Sequence, residues 1–295
     1  MAGVALVSDS THYLPRELVE RLGIHQVSLY VGFGDERVKE LEVADIPAFY
    51  DRLRREPQLP TTSQPSIGDF LEVWEELLHD GYDVVSIHLS GGISGTCETA
   101  RQAQAILAER RLEGRVEVID SETGCGGMGL LLLAAADAVR SGASVGEVVE
   151  RVRRARNELT MWFAIDTLEY LRKGGRIGKA AAWLGTTLKI KPILTLEREI
   201  TPVERVRTAT RAFERLVDHA RELAAQGRDG WAVQHIQDPD GARRLSERCE
   251  EIFGRPPLFC SEIGPVIGTY TGPGLLGVGG IPKLLVGSVA SGGAV

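Results

Sequence analysis

The sequence is short of the residues from which the commonest catalytic centres are built. Its four cysteines, Cys97, Cys125, Cys249 and Cys260, form no C-x-x-C pair. That scatter fits the reduced thiols of a cytoplasmic protein better than disulfides or a zinc site. The six histidines, His12, His25, His79, His88, His219 and His235, show no H-E-x-x-H or other metal-ligand spacing. There is no G-x-x-x-x-G-K-S/T loop, so no Walker-type nucleotide site is expected. Gly92-Ile93-Ser94-Gly95 is not the G-x-S-x-G elbow of a serine hydrolase. No apolar run reaches the ~18–20 residues of a membrane span. Net positive charge is also lacking: the formal net charge of −7 argues against a nucleic-acid binder. The opening Met1-Ala2-Gly3-Val4 leads directly into a strand-like run, so no signal peptide is expected.

What remains is ordinary globular composition, 43% hydrophobic and 25% charged over 295 residues, enough for one large or two ordinary domains. Strand and helix patterns alternate through the first half. Strands are expected at residues 4–7, 27–31, 84–89 and 116–119. Helices are expected from Pro15 to Leu22, after Asp45, from a Ser66/Asp69 capping box to about Gly81, after Ser94, through the apolar run after Gly124, and at 145–156. Such alternation indicates a parallel sheet flanked by helices, with ligands outside the carboxyl ends of its strands. The strand-to-helix loops 8–11, 90–96 and 120–123 are therefore expected to converge on one crevice.

Near Leu159 the pattern changes. Strand-like runs at 161–165, 191–194, 199–202, 231–236 and 258–263 surround helices at 167–171, 212–225 and after Asp238-Pro239. The stretch 264–280 carries seven glycines. The expected fold class is α/β with two α/β domains: 1–158 with a mostly parallel sheet, and 159–281, smaller, with a mixed sheet. Residues 282–295 are expected to be a tail, loose from 290 onward.

Two segments carry candidate chemistry. Ser90-Gly91-Gly92-Ile93-Ser94-Gly95-Thr96 is a glycine-rich turn between a buried strand and a helix. Free amides and the helix dipole at such a turn suit a phosphate or carboxylate. A helix cap at Ser94 fits the same pattern. Pro60-Thr61-Thr62-Ser63-Gln64-Pro65-Ser66 reads as a proline-stiffened loop with three consecutive hydroxyls, which also serve as ordinary loop groups. Charge is uneven: residues 172–211 hold ten Lys or Arg against three Glu, a site for an anion or an acidic partner.

Five segments, in order, resemble the DegV family: Thr61-Thr62-Ser63-Gln64-Pro65-Ser66, Ser94-Gly95-Thr96, Asp120-Ser121, the run Leu168-Glu169-Tyr170-Leu171-Arg172-Lys173-Gly174-Gly175-Arg176-Ile177, and Val266-Ile267-Gly268-Thr269-Tyr270-Thr271-Gly272-Pro273-Gly274. The spacing fits from about Val4 to Gly280. That family includes the fatty-acid-binding FakB subunits of bacterial fatty acid kinase. The resemblance implies a DegV-like carrier of one long-chain fatty acid, palmitate for example. Its carboxylate is held by Thr62 and Ser94, with Ser63, Gly95, Thr96 and Tyr270 in support. A separate ATP-dependent kinase subunit phosphorylates that carboxylate, and the acyl phosphate feeds phospholipid synthesis. The chain itself then has no catalytic residue, no metal, no cofactor and no stable membrane insertion. Arg172, Arg176, Arg205 and Arg207 are candidates for kinase docking. The chain departs from the family's usual pattern in having Ser90-Gly91 where two serines are common, and Tyr270 where His is common.

Two other functions stay open on sequence grounds. Gly124-Cys125-Gly126-Gly127-Met128-Gly129 fits G-x-G-x-x-G between a strand and a helix, although Glu147, at the spacing of the ribose-binding acid, lies in a helical segment. A dinucleotide-dependent enzyme would use that loop. A pure protein-interaction module would use only the basic stretch.

Overall fold

A computed structural model describes residues 3–110, 112–185, 190–287 and 289. β1 (Val4–Asp9) leads to α1 (Arg16–Leu22), which Gly23 ends in the left-handed conformation at φ +61°. β2 (Ile24–Val27), β3 (Tyr30–Gly32), β4 (Val38–Lys39), α2 (Ile46–Arg55) and β5 (Thr61–Ser63) follow. Next come α3 (Ile67–His79), β6 (Asp83–His88), α4 (Thr96–Glu109), β7 (Val116–Asp120), α5 (Cys125–Arg140) and α6 (Val145–Glu158). The second half holds β8 (Thr160–Ala164), α7 (Glu169–Lys173), β9 (Lys191–Glu197), β10 (Glu199–Val206), α8 (Ala209–Ala225), β11 (Gly230–His235), α9 (Pro239–Phe253), β12 (Phe259–Glu262), α10 (Pro265–Thr271) and β13 (Leu276–Ile281).

Among the described residues, three sheets result. The first, in the order β2-β1-β6-β7, is parallel throughout, as the alternating pattern requires. The second, β10-β9-β8-β13-β11-β12, is mixed, with β11 and β12 its parallel pair. The third is a small antiparallel sheet, β4-β3-β5. The chain is thus an α/β protein with a parallel-sheet domain and a mixed-sheet domain. Among the described residues, no helix is long and apolar enough to cross a membrane.

α5 ties the two larger sheets together. Up to Asp137 it is apolar on every side, and residues 126–138 are all buried, as expected of a helix enclosed by protein. One core joins Leu6, Val85 and Ile87 of the parallel sheet, the leucines of α5, and Ala232, Phe259 and Ile281 of the mixed sheet. Each fully buried leucine contributes about 1.5–3 kcal/mol. Leu285, Val286 and Val289 pack into this core too. The segment 290–295, expected to be loose, lies outside the described residues.

Two expectations need correction. Residues 27–31 are not one strand. The chain leaves the parallel sheet at Val27 and enters the small sheet at Tyr30, because Ser28 and Leu29 bond across to the Glu40 and Leu41 amides. The hydroxyl-rich segment is not a loop: its centre is β5, paired with β3 so that Thr62 lies opposite Val31. The glycine-rich stretch 264–280 contains α10 and most of β13. β13, the last strand among the described residues, lies between β8 and β11 in the middle of the mixed sheet.

Candidate functional site

The expected convergence of the first three loops occurs, but as a buried hydrogen-bond network. Asp9, fully buried, accepts from the Thr11 amide and hydroxyl and from the Leu89 amide, and meets His88 Nδ1 at 3.3 Å. Burial works to raise its carboxyl pKa, yet these partners hold it below the usual range. Asp120 receives the Gly91 and Glu122 amides. Loop 8–11 is consumed in this network and does not reach the cavity. His88 is buried between Asp9 and Ser86 Oγ and has a structural place.

One cavity collects the hydroxyls. Thr62 and Ser63 come from β5, Ser94 and Gly95 from the turn after β6, Tyr270 from α10 and Arg176 from the turn after α7. Arg176, Gln64 and Gly95 are exposed and mark its mouth. The walls beyond are apolar, including Leu29, Phe163, Leu171, Leu196, Val266 and Leu275. The cavity volume proper is about 100 Å³; with the open solvent at the mouth counted, the space between these residues is about 1010 Å³.

The mouth is arranged to donate hydrogen bonds. Thr62 Oγ1 and Tyr270 OH are 2.5 Å apart. One proton lies between two such oxygens, which leaves the second hydroxyl proton free for a ligand. Ser94 Oγ is 2.8 Å from Thr96 Oγ1 and accepts from the Thr96 amide at 3.3 Å. With Thr96 donating, the Ser94 proton is also free. Thr96 itself is fully buried and outside the cavity wall. Ser94 is not the helix cap: the N-cap of α4 is Gly95, and no side chain caps it. A Cβ on Gly95 would come within 3.0 Å of Gln64 Nε2, so this glycine lets β5 approach α4.

Positive charge reaches the mouth through Arg176. Its guanidinium sits 4.7 Å from the Tyr270 ring centre and donates to the Gly174 carbonyl at 2.8 Å. A Cβ at Gly174 would collide with the Tyr270 ring at 2.3 Å, so the two glycine-bearing motifs are matched here. The other three arginines lie elsewhere. Arg172 is paired with Glu169 at 2.7 Å, Arg205 lies over the Trp183 ring at 5.4 Å, and Arg207 is exposed. Much of the basic stretch is locally neutralised, by Lys179–Glu199 and Lys191–Asp166 among others.

α10 is anchored from behind by buried polar groups that sequence reasoning missed. Glu40 Oε1 accepts the Val266 amide and the Tyr13 hydroxyl, both at 2.8 Å, and its Oε2 accepts from Ser10 at 2.5 Å. Burial pushes the Glu40 carboxyl up to about 7 against the pull of these bonds. Tyr50 OH donates to the Ile263 carbonyl at 2.7 Å.

The Gly124–Gly129 loop does not form a phosphate cradle. Gly124 and residues 126–129 are buried. Cβ atoms there would strike Leu89, Met161, Thr123 and Phe259 at 2.5–2.9 Å. These glycines serve close packing of α5 against its neighbours. Among the described residues, no three His, Cys, Asp or Glu side chains cluster as metal ligands would.

A family model described as an uncharacterised protein of the DegV family matches residues 3–283. Protein DegV of Bacillus subtilis is 35% identical over 280 residues, covering 93% of this chain and 98% of that one. A DegV domain-containing protein of Clostridium acetobutylicum is 38% identical over 277 residues, covering 93% and 96%. The crystal structure of Bacillus subtilis DegV, a fatty-acid-binding protein, has a TM-score of 0.85 at 35% identity, covering 95% of this chain and 100% of that one. A fatty-acid-binding DegV-family protein from Thermus thermophilus also has a TM-score of 0.85, at 34% identity, covering 96% and 100%.

Proposed function

This chain belongs to the DegV family, and on that premise we propose that it is a carrier holding one long-chain fatty acid, carboxylate at the mouth and tail within the cavity. The observation that carries the reading is an apolar cavity whose opening gathers Thr62, Ser94, Tyr270 and Arg176. Hydrogen bonds from hydroxyls to an ionised carboxylate are roughly twice as strong as neutral ones. They leave a carboxylate oxygen free, where a bidentate arginine clamp would occupy both. The tail supplies most of the affinity. At ~0.8 kcal/mol per CH₂, ten or more methylenes give on the order of 8–11 kcal/mol before the cost of immobilisation.

The finer reading is that the exposed oxygen is phosphorylated by a separate ATP-dependent kinase subunit, and that the acyl phosphate feeds phospholipid synthesis. Support comes from the free carboxylate oxygen that such a mouth leaves and from the exposed Arg172, Arg205 and Arg207 on the basic stretch beyond it. The test is native mass spectrometry of freshly purified protein, then of delipidated protein offered palmitate or oleate. A co-purified or acquired acyl mass at one per chain is expected. An empty protein that takes up neither acid overturns the carrier reading. An acyl-loaded protein that no fatty acid kinase phosphorylates overturns only the finer one.

A further inference from the structure

The apolar wall of the cavity contains a polar atom that no described residue satisfies. Gln234, on β11, is 2% exposed and lines the cavity. Its Nε2 donates to Ser261 Oγ at 3.0 Å and lies 3.3 and 3.4 Å from the His12 and Tyr13 carbonyls. Two carbonyl acceptors beside Nε2 fix the orientation of the amide, because exchanging its ends would set oxygen against oxygen. The Oε1 atom is left buried, without a hydrogen-bond partner among the described residues.

The residues beside Gln234 on its face of the mixed sheet line the same cavity. In the mixed sheet Gln234 stands opposite Gly277, and Gly277 stands opposite Phe163. These three share one face of the sheet, with Met161 two residues along β8 on the same side. All four line the cavity. Gly277 has no side chain and leaves a trough between Phe163 and Gln234. Across from it, a Cβ on Gly126 would meet both the Met161 methyl at 2.8 Å and Gln234 Oε1 at 3.0 Å. None of the partners of Gln234 belongs to the group at the mouth.

A buried acceptor left unpaired costs about 1–3 kcal/mol. A water bound there needs two to four polar partners, and the neighbouring wall of methionine, phenylalanine and glycine does not provide them. The occupant itself is the remaining source of a donor. Resting on the carrier reading above, we propose that Gln234 selects fatty acids bearing a hydroxyl group on the chain, remote from the carboxylate, which donates to Oε1.

Delipidated protein is offered pairs of acids at equal concentration, 10-hydroxystearic or 12-hydroxystearic against stearic, and 16-hydroxypalmitic against palmitic. Bound masses are read by native mass spectrometry. At least one hydroxy acid is expected to exceed its parent by about tenfold, the equivalent of one net hydrogen bond. Gln234→Met keeps the volume and removes the acceptor, and Gln234→Leu does so with a different shape. Either variant is expected to bind the parent acid at least as well and to lose the preference, which also verifies the fold of the pocket. Absence of preference for every hydroxy acid, or a preference that survives both substitutions, overturns the proposal. Plain acids binding well with no such preference leave the carrier reading standing, whereas failure to bind any acid removes both.

Discussion

Ser90 donates its hydroxyl to the Arg198 carbonyl at 2.7 Å, and so joins the parallel sheet to the mixed one at the rim of the cavity. Arg198 is the turn between β9 and β10, in the left-handed region at φ +64°. Its amide donates to the Glu122 carbonyl at 2.8 Å. Both backbone groups of the turn are thus taken by loops of the other sheet. The flanking Leu196 and Ile200 line the cavity, so this clasp holds one wall in place.

Gly92 leaves room for the clasp: a Cβ there would lie 2.1 Å from the Arg198 carbonyl oxygen. Gly92→Ala is expected to push the hairpin away, lower Tm and accelerate release of bound fatty acid. Ser90→Ala, which deletes only the hydrogen bond, should cost about 1 kcal/mol and give a smaller acceleration. Urea denaturation and stopped-flow displacement of a fluorescent fatty acid measure the two effects. Unchanged release in Gly92→Ala would show that the hairpin does not gate the cavity.

Ser94→Ala and Thr62→Val remove the donors assigned to the carboxylate. Each is expected to weaken fatty-acid binding by about tenfold, consistent with ~1.5–3 kcal/mol for a hydrogen bond to a charged group. Circular dichroism and Tm should change little, since Ser94 caps no helix. Binding of a fatty alcohol should be much less affected, which separates a headgroup effect from general damage.

Arg176 and Arg172 separate attraction of the headgroup from docking of a partner. Arg176→Gln is expected to lower fatty-acid affinity and its dependence on salt, because the guanidinium lines the mouth. Arg172→Glu, on an exposed side chain paired with Glu169, should leave affinity unchanged and reduce phosphorylation by a kinase subunit. Isothermal titration at two ionic strengths and a coupled ATP assay give the readouts.

Glu40 makes stability depend on pH. Its folded pKa of about 7 lies above its ordinary value of 4.5. Between those limits the folded state binds more protons than the unfolded state, so this contribution to stability falls as pH rises and is gone above about 7. Relative to Glu40→Gln, the wild type should lose roughly 3 kcal/mol between pH 4.5 and 7.5, at about 1.4 kcal/mol for each tenfold difference in proton affinity between the folded and unfolded states. Urea titrations at several pH values test this. Parallel profiles for the two proteins would remove Glu40 as the source.

The regular elements were legible because their periods are strong: Phe70, Trp74, Leu77 and Leu78 form a helical stripe, and all four are buried. β5 escaped notice because three residues between prolines carry no period. β13 escaped because Gly277, Gly279 and Gly280 lower strand propensity, and its place depends on strands far away in sequence. Those glycines are needed where Phe163, Met161 and the Arg228 carbonyl crowd the sheet. At the site, the residues Thr62 and Ser94 were visible as hydroxyls in loops, whereas Arg176 reads from sequence as one of four charges for kinase docking and lies instead at the mouth. Gln234 and Glu40 gave no sequence signal. A polar residue in a strand and an acid in a turn are commonplace until burial isolates them.

Because β13 is inserted between two strands made earlier in the chain, the cavity has a definite place in the history of each molecule. On the ribosome, β8 and β11 emerge with open edges and the floor of the cavity incomplete. The protein can hold no tail until the segment through Ile281 has been released and threaded into the gap. On the carrier reading, loading with a fatty acid therefore requires the chain to be made through Ile281, and a chain stopped short of Leu276 would expose two sticky strand edges in place of a pocket.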